Sequence, residues 1–381
     1  MKLFPRAPIL ILSLGCPAFA QEPAEADPLY GEIRAAAEEL LVEHATPGLA
    51  VARLVDGELA WSQGIGYADA ETRAPVTPRT VFNVGSVSKV VAAWGVMRLV
   101  ERGEVELDRP VWTWVTRWRL PESPYPADGV TVRRLLSHTA GLSLHGYPGF
   151  EVGAVLPTLE ESLSGATGGR GGVELVHEPG SRWSYSGGGY TLLQLMVEEV
   201  TERPFADSMK EAVLDPLGMA SSDYRWTEAI LERAATPHDE EGRPFAGQRF
   251  TALAAAGLQT TVLDLARFGE ATLAVDRAGT GGVLAPETIR EMLEPIAPGA
   301  PVGLGYRLMG YYGLDTVGHS GSNDGWEAMF AVEPRTRDGI VLLSNGSNGE
   351  QVLRALYARW TAVVQANVAA LEAREAEGAD R

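Results

Sequence analysis

Short apolar, strand-like runs lie towards both ends of this 381-residue chain, and most of what separates them follows helical spacing. On the N-terminal side, Leu49 to Val55 and Leu59 to Gly64 flank Asp56-Gly57, a strong hairpin signal. On the C-terminal side, Gly305 to Tyr312, Trp326 to Val332 and Gly339 to Ser344 are bounded by Gly, Pro and Asp. Helical patterns cover residues 31–44, ended by Pro47-Gly48, and a last stretch from about Glu350 to Ala370. Between the β regions, Lys89 to Arg102, Tyr190 to Thr201 and Pro286 to Leu293 also read as helices. This order predicts an α/β (α+β) fold: an antiparallel sheet formed from both chain ends, flanked by helices, with a mostly helical subdomain inserted. The expected domain spans 21–365, with its α/β part at about 30–85 and 300–365 and the insert at about 90–300. An acidic tail follows over 366–381.

The first twenty residues read as a secretory signal peptide. Lys2 and Arg6 precede an apolar run from Ala7 to Leu14, and Ala18-Phe19-Ala20 forms a small-x-small cleavage site. The run is too short to span a bilayer, and no later stretch reaches 18 uninterrupted apolar residues, so no stable membrane insertion is expected. Cleavage after Ala20 removes Lys2 and Arg6 and takes the formal charge from -18 to -20. It also removes Cys16, the single cysteine, which excludes disulfides and thiol chemistry from the mature chain. Acylation of Cys16 as a lipoprotein is the competing reading, disfavoured because Ser13 stands where a lipobox usually carries Leu. A periplasmic or secreted location follows. The acidic balance, Asp+Glu 50 against Lys+Arg 32 with no basic cluster, disfavours nucleic acid as a partner.

Four segments concentrate the chemistry. In Phe82-Asn83-Val84-Gly85-Ser86-Val87-Ser88-Lys89, a helix starting here puts Ser86 and Lys89 on one face. Serine needs a neighbouring base to act as a nucleophile, and a partly desolvated lysine can serve. On the tetrapeptide alone an N-cap serine before a surface lysine is the favoured reading, because Ser-x-x-Lys occurs often by chance. The others are Leu135 to Leu142 around His138, Glu178 to Tyr190 around Tyr185, and Gly318 to Trp326 around His319.

At these four places the chain resembles the serine β-lactamase and penicillin-binding-protein-like hydrolases, in particular the class C β-lactamase branch with its esterases, D-aminopeptidases and D-alanyl-D-alanine carboxypeptidases. The resemblance runs from about residue 30 to 365 and includes Asp215-Pro216-Leu217-Gly218-Met219 and Ala256-Gly257-Leu258-Gln259-Thr260-Thr261. Ser-x-x-Lys is a known signature of this superfamily. The resemblance implies Ser86 as the acylated nucleophile, Lys89 as its partner and Tyr185 as the proton-exchanging phenol. His319-Ser320-Gly321 falls at the Lys-Thr-Gly position, with Gly321 leaving room for substrate along the strand edge. The backbone N–H groups of Ser86 and Ser322 match the two oxyanion donors.

Two departures bear on the substrate. Gly187 stands where the family often has the Asn of Tyr-x-Asn, which leaves Lys89 one partner short and weakens a β-lactam or peptide substrate more than acyl transfer itself. A neutral His319 supplies no fixed charge for a substrate carboxylate, whereas a protonated one does; activity falling as His319 deprotonates is the expectation of carboxylate binding. With the bulk field repulsive, local groups such as Lys89 and His319 must capture any anion.

The remaining candidates have plainer readings. The six histidines show no metal-ligand spacing, so neither a metal nor another cofactor is expected. His138 reads as a structural hydrogen-bonding residue, Pro179-Gly180 as the turn delivering Tyr185, and the glycine-rich 164–172 as a surface linker before a lid. Trp183 and Trp326 are the tryptophans placed to wall a site, and Asn345 is a guess for substrate contact. The sequence thus predicts a serine hydrolase acting on a small-molecule ester or D-amino-acid peptide. A D-alanyl-D-alanine carboxypeptidase or β-lactamase, and an inactive binding protein of the same fold, are the alternatives. Specificity is expected in the loops at 143–175 and 221–250.

Overall fold

The computed structural model describes residues 27–167, 169–275, 282–296, 300–309 and 314–379. The expected signal segment with Cys16, Gly168 of the glycine-rich stretch and the end of the 305–312 run lie outside the described residues.

A seven-stranded antiparallel sheet has β1 (Gly48–Val55), β2 (Glu58–Asp69) and β3 (Ala74–Pro75) from the N-terminal side. From the C-terminal side come β6 (Arg307–Met309), β7 (Thr316–Asn323), β8 (Trp326–Glu333) and β9 (Asp338–Ser344), in the spatial order β3-β2-β1-β9-β8-β7-β6. The two chain ends meet at β1 and β9, with Leu49 opposite Ser344 and Leu54 opposite Gly339. A separate ribbon pairs β4 (Phe82–Asn83) with β5 (Gln259–Thr260). Asp56 and Gly57 both take positive φ, 53° and 77°, the geometry of the tight hairpin turn that their residue types favour.

β1 is apolar but for the buried Arg53, because both faces are covered. Ala50, Ala52 and Leu54 face the core shared with the buried Ser88–Glu101 helix and the Val262–Thr272 helix. Leu49 and Val51 face a second core under the Pro28–Glu43 helix and the terminal helix, Gly349–Ala379, where Trp360 is fully buried. The Ser88–Glu101 helix is apolar on almost every side, the pattern of a helix enclosed by the fold.

The insert differs from a simple helical subdomain. Between the end of the Ser88–Glu101 helix and Gly187, the described α-helices are two five-residue pieces, Val132–Leu136 and Leu159–Leu163. The terminal helix also runs on past the expected 370 to Ala379, through most of the acidic stretch. No described helix is long and apolar enough to cross a membrane.

Candidate active site

Ser86 sits at the middle of a 3₁₀ turn, Gly85–Val87, that leads into the Ser88–Glu101 helix. Three contacts hold this turn: the Gly85 N–H donates to Asn83 Oδ1 at 3.0 Å, Ser88 Oγ donates to Gly85 O at 2.6 Å, and Leu258 N donates to Ser88 Oγ at 2.9 Å. One turn along, Lys89 is 2 % exposed, and its Nζ donates to Ser86 Oγ at 3.0 Å and to Ala255 O at 2.6 Å. An amine buried this deeply must be held by polar partners, and the Ala255 carbonyl aims it at the serine. The start of the Ala256-to-Thr261 segment, with Ala255 just before it, therefore braces the Ser86 turn and Lys89. Asn83 and Asn323 both donate to Ala256 O, and Asn323 also donates to Asn83 Oδ1 at 2.6 Å.

β7 runs against the Ser86 turn at backbone distance. A Cβ on Gly321 would lie 2.0 Å from Val84 O and 2.8 Å from Ser86 N, and one on Gly85 would lie 2.7 Å from Ser322 N. Gly321 was expected to clear the strand edge for substrate; the space it leaves is occupied by the Ser86 turn itself. Its lack of a side chain sets the seam along which the Ser86 and Ser322 amides lie, and Gly85 at φ +47° completes it. The Ser322 side chain leaves this seam and donates to Glu327 Oε1 at 2.7 Å.

Tyr185 enters from the segment after the Pro179-Gly180 turn, where Gly180 has φ +85° and its N–H donates to Thr139 O at 2.7 Å. Its ring lies 4.3 Å from that of His138, 4.7 Å from His145 and 6.0 Å from His319, with Lys89 Nζ 5.1 Å from its centroid. His138 is buried, and its Nδ1 accepts the Ser186 N–H at 3.1 Å, a structural contact. Ser86, Lys89, Tyr185, His319, Gly321 and Ser322 line one cavity of about 380 Å³, together with Trp183, His145 and Arg307.

His319 is 2 % exposed, and burial, followed by the Lys89 charge, depresses its pKa to about 3. The imidazole is therefore neutral at working pH and cannot be the fixed cation for a carboxylate. Its Nδ1 lies 2.5 Å from Ser320 O, so Nδ1 carries the proton and donates. Nε2 is buried without a partner, a free acceptor. Burial and the Lys89 charge also hold His138 well below the usual histidine range.

One residue that sequence reading missed is Arg307, on β6. Half-buried, it lies 5.9 Å from the Trp183 ring centroid and forms no ion pair among the described residues. Its charge is felt by His138, His145 and His319 alike. Its position one strand outside β7, with Arg307 opposite Gly318, is a matter of register that no local motif announces.

Two other expectations are corrected. Trp326 is 3 % exposed and packs edge-on against Phe82 at 6.0 Å, a core contact. Asn345 is fully buried, and its Nδ2 donates to Tyr67 O, Ala68 O and Thr236 O, so it clamps backbone and is sealed from substrate. Trp183 does wall the cavity.

The family model for beta-lactamases matches residues 33–364. The chain belongs to the beta-lactamase family. Esterase EstB of Burkholderia gladioli is 33 % identical over 248 residues, covering 61 % of this chain and 60 % of the esterase. Penicillin-binding protein 4 of Amycolatopsis lactamdurans is 29 % identical, covering 81 % of this chain and 83 % of that protein. The octameric penicillin-binding protein homologue from Pyrococcus abyssi superposes with a TM-score of 0.73 at 29 % identity, covering 88 % of this chain and 77 % of that one. The chain spans 60 % of the length of the first curated relatives it matches. Beta-lactamase family membership places it among the serine β-lactamase and penicillin-binding-protein-like hydrolases, the class the four motifs indicate.

Proposed function

We propose that this protein is a secreted serine hydrolase that forms an acyl-enzyme on Ser86 and acts on a small ester or D-amino-acid peptide carrying an anionic group. The observation that carries the reading is Lys89 Nζ at 3.0 Å from Ser86 Oγ inside the cavity. Ser86 Oγ attacks the substrate carbonyl while its proton passes to the Lys89–Tyr185 pair, which can take it only when it enters the step one proton short, as amine with phenol or ammonium with phenolate. The oxyanion is received by the Ser86 and Ser322 N–H groups. The leaving oxygen or nitrogen takes up that proton as its bond to carbon breaks. Water then attacks the acyl carbon, gives its proton back to Ser86 Oγ and releases the acid. Arg307, without an ion pair among the described residues, supplies the fixed positive charge that His319 does not, and it favours a carboxylate-bearing substrate.

The deciding experiment is labelling with a fluorophosphonate and with a penicillin, followed by peptide mapping and turnover of p-nitrophenyl esters, D-amino-acid anilides and nitrocefin. Covalent mass on Ser86 that is lost in Ser86→Ala supports the reading. Absence of label from every acylating probe favours a binding protein on the same fold. Nitrocefin or D-alanyl-D-alanine turnover exceeding the esters moves the assignment to β-lactamase or carboxypeptidase. Secretion is tested by the N-terminus of the exported protein, expected at Gln21.

A further inference from the structure

Gly187 leaves a gap in the family's Tyr-x-Asn pattern, and the structure shows what fills it. The Gly187 N–H donates to His145 O at 3.0 Å, the Gly188 N–H donates to Leu144 O at 3.1 Å, and Ser186 Oγ donates to Ser143 O at 2.5 Å. The 143–145 backbone therefore lies directly on the first turn of the Gly187–Thr201 helix. Glycine is what permits this approach. A Cβ at 187 would lie 2.8 Å from His145 O, and one at 188 would lie 3.3 Å from Ser143 O and 2.6 Å from Val173 Cγ2. An asparagine at 187 would force this backbone to shift.

The same path delivers the His145 imidazole to the cavity, where its ring centroid lies 4.7 Å from that of Tyr185 at a tilt of 41°. His138 contacts the same ring at 4.3 Å. Tyr185 is thus braced by two imidazoles, one from the buried His138 turn and one from the exposed loop. Burial and the Lys89, Arg170 and Arg307 charges all favour the neutral form of His145, so the brace adds no further cation beside Lys89.

We propose that His145 is a positioning residue: seated by Gly187 and Gly188, its ring fixes the Tyr185 phenol. The proposal rests on the serine-hydrolase reading for its kinetic consequence, but its geometric consequence is independent of that reading. Misplacing a reacting group by about 1 Å costs up to about a hundredfold in rate, so a partly freed Tyr185 is expected to cost about tenfold.

The test compares His145→Ala and His145→Phe with the parent by ester hydrolysis and by ¹⁹F NMR of protein labelled with 3-fluorotyrosine, the Tyr185 line being assigned from its loss in Tyr185→Phe. In His145→Ala, kcat is expected to fall about tenfold with KM within about twofold. Its Tyr185 resonance should split or broaden. His145→Phe, which keeps a ring but no hydrogen-bonding nitrogen, should recover a single line and kcat within about threefold of the parent. A sharp, unmoved Tyr185 line in His145→Ala overturns the brace, as does a variant that changes KM alone. A phenylalanine variant as impaired as the alanine one also overturns it, assigning the effect to the imidazole nitrogens instead. Should the parent hydrolyse no ester while the NMR changes hold, the serine-hydrolase reading fails and the brace stands.

Discussion

Arg307 stands half-buried near Trp183 with no ionic partner among the described residues, and a guanidinium so placed in the candidate cavity has much to gain from an incoming anion. Arg307→Gln is expected to raise KM about tenfold or more for carboxylate-bearing substrates while leaving neutral p-nitrophenyl esters within about twofold. Equal losses on both substrate types would show that Arg307 shapes the site without reading charge. Glu327 carries the opposite pressure. Burial pushes its carboxyl up from 4.5 to about 8, helped by Glu350 and opposed by the Ser322 hydroxyl and Arg354. Between those values the folded protein holds a proton that the unfolded chain releases, so stability falls as pH rises from about 4.5 to about 8 and is level above that. Glu327→Gln removes this fall: equal to the parent near pH 4, it should be more stable by up to about 5 kcal/mol at pH 9, read as a higher midpoint in urea unfolding. Ser86, Lys89 and Tyr185 could be picked out as candidates from sequence because their motifs are local and ordered along the chain, and the structure brings them together. Arg307 and His145 could not. One gains its meaning from a strand pairing, the other from a loop crossing a glycine-rich helix start.

β7 and the Ser86 turn form the element pair on which the site depends, and their approach is fixed by what is missing from Gly321. Both atoms nearest its absent Cβ, Val84 O at 2.0 Å and Ser86 N at 2.8 Å, are backbone and cannot rotate away. Gly321→Ala must therefore push the strand from the turn. It is expected to cost about a hundredfold or more in kcat, since oxyanion donors act only at about 2.7–3.1 Å, and to lower the rate of Ser86 labelling in parallel. Glycine at this position was legible as a close approach, but the sequence did not say what approaches. Other elements show the same division. Asp56-Gly57 encodes its own turn and the hairpin follows from it. The acidic stretch after 365 reads as a tail, yet Glu372 and Glu375 both reach Arg335, at 2.9 and 3.7 Å, across the turn between β8 and β9. These carboxylates stay more than half exposed, so the pairs add little; the tail reading fails because the helix continues to Ala379.

Strand-like runs at both ends predicted one sheet from two termini, but not that β1 and β9 would lie at its centre, each buried on both faces. The junction carries an ion pair within an apolar wall: Arg53 Nη2 lies 2.5 Å from Asp338 Oδ1, with both side chains 3 % exposed. Arg53 Nη1 also donates to Leu54 O and Gly339 O, and Asn367 Nδ2 of the terminal helix donates to Asp338 Oδ2. A β-branched or leucine pair would fill this place without desolvating two charges, so the ion pair adds little net stability but is costly to break on one side. Arg53→Met leaves a buried carboxylate, and Asp338→Leu leaves a buried guanidinium. Each is expected to destabilise by about 3–5 kcal/mol, whereas the double variant recovers most of that loss, giving a large coupling energy in the cycle. Because the pair joins the first strand to the last, and the Val262–Thr272 helix of the insert packs on both strands, unfolding should stay a single transition in every variant. Two separated transitions in Arg53→Met, one of them leaving Ser86 still reactive to a fluorophosphonate, would mean that the insert and the Ser86 turn stand without the closed sheet.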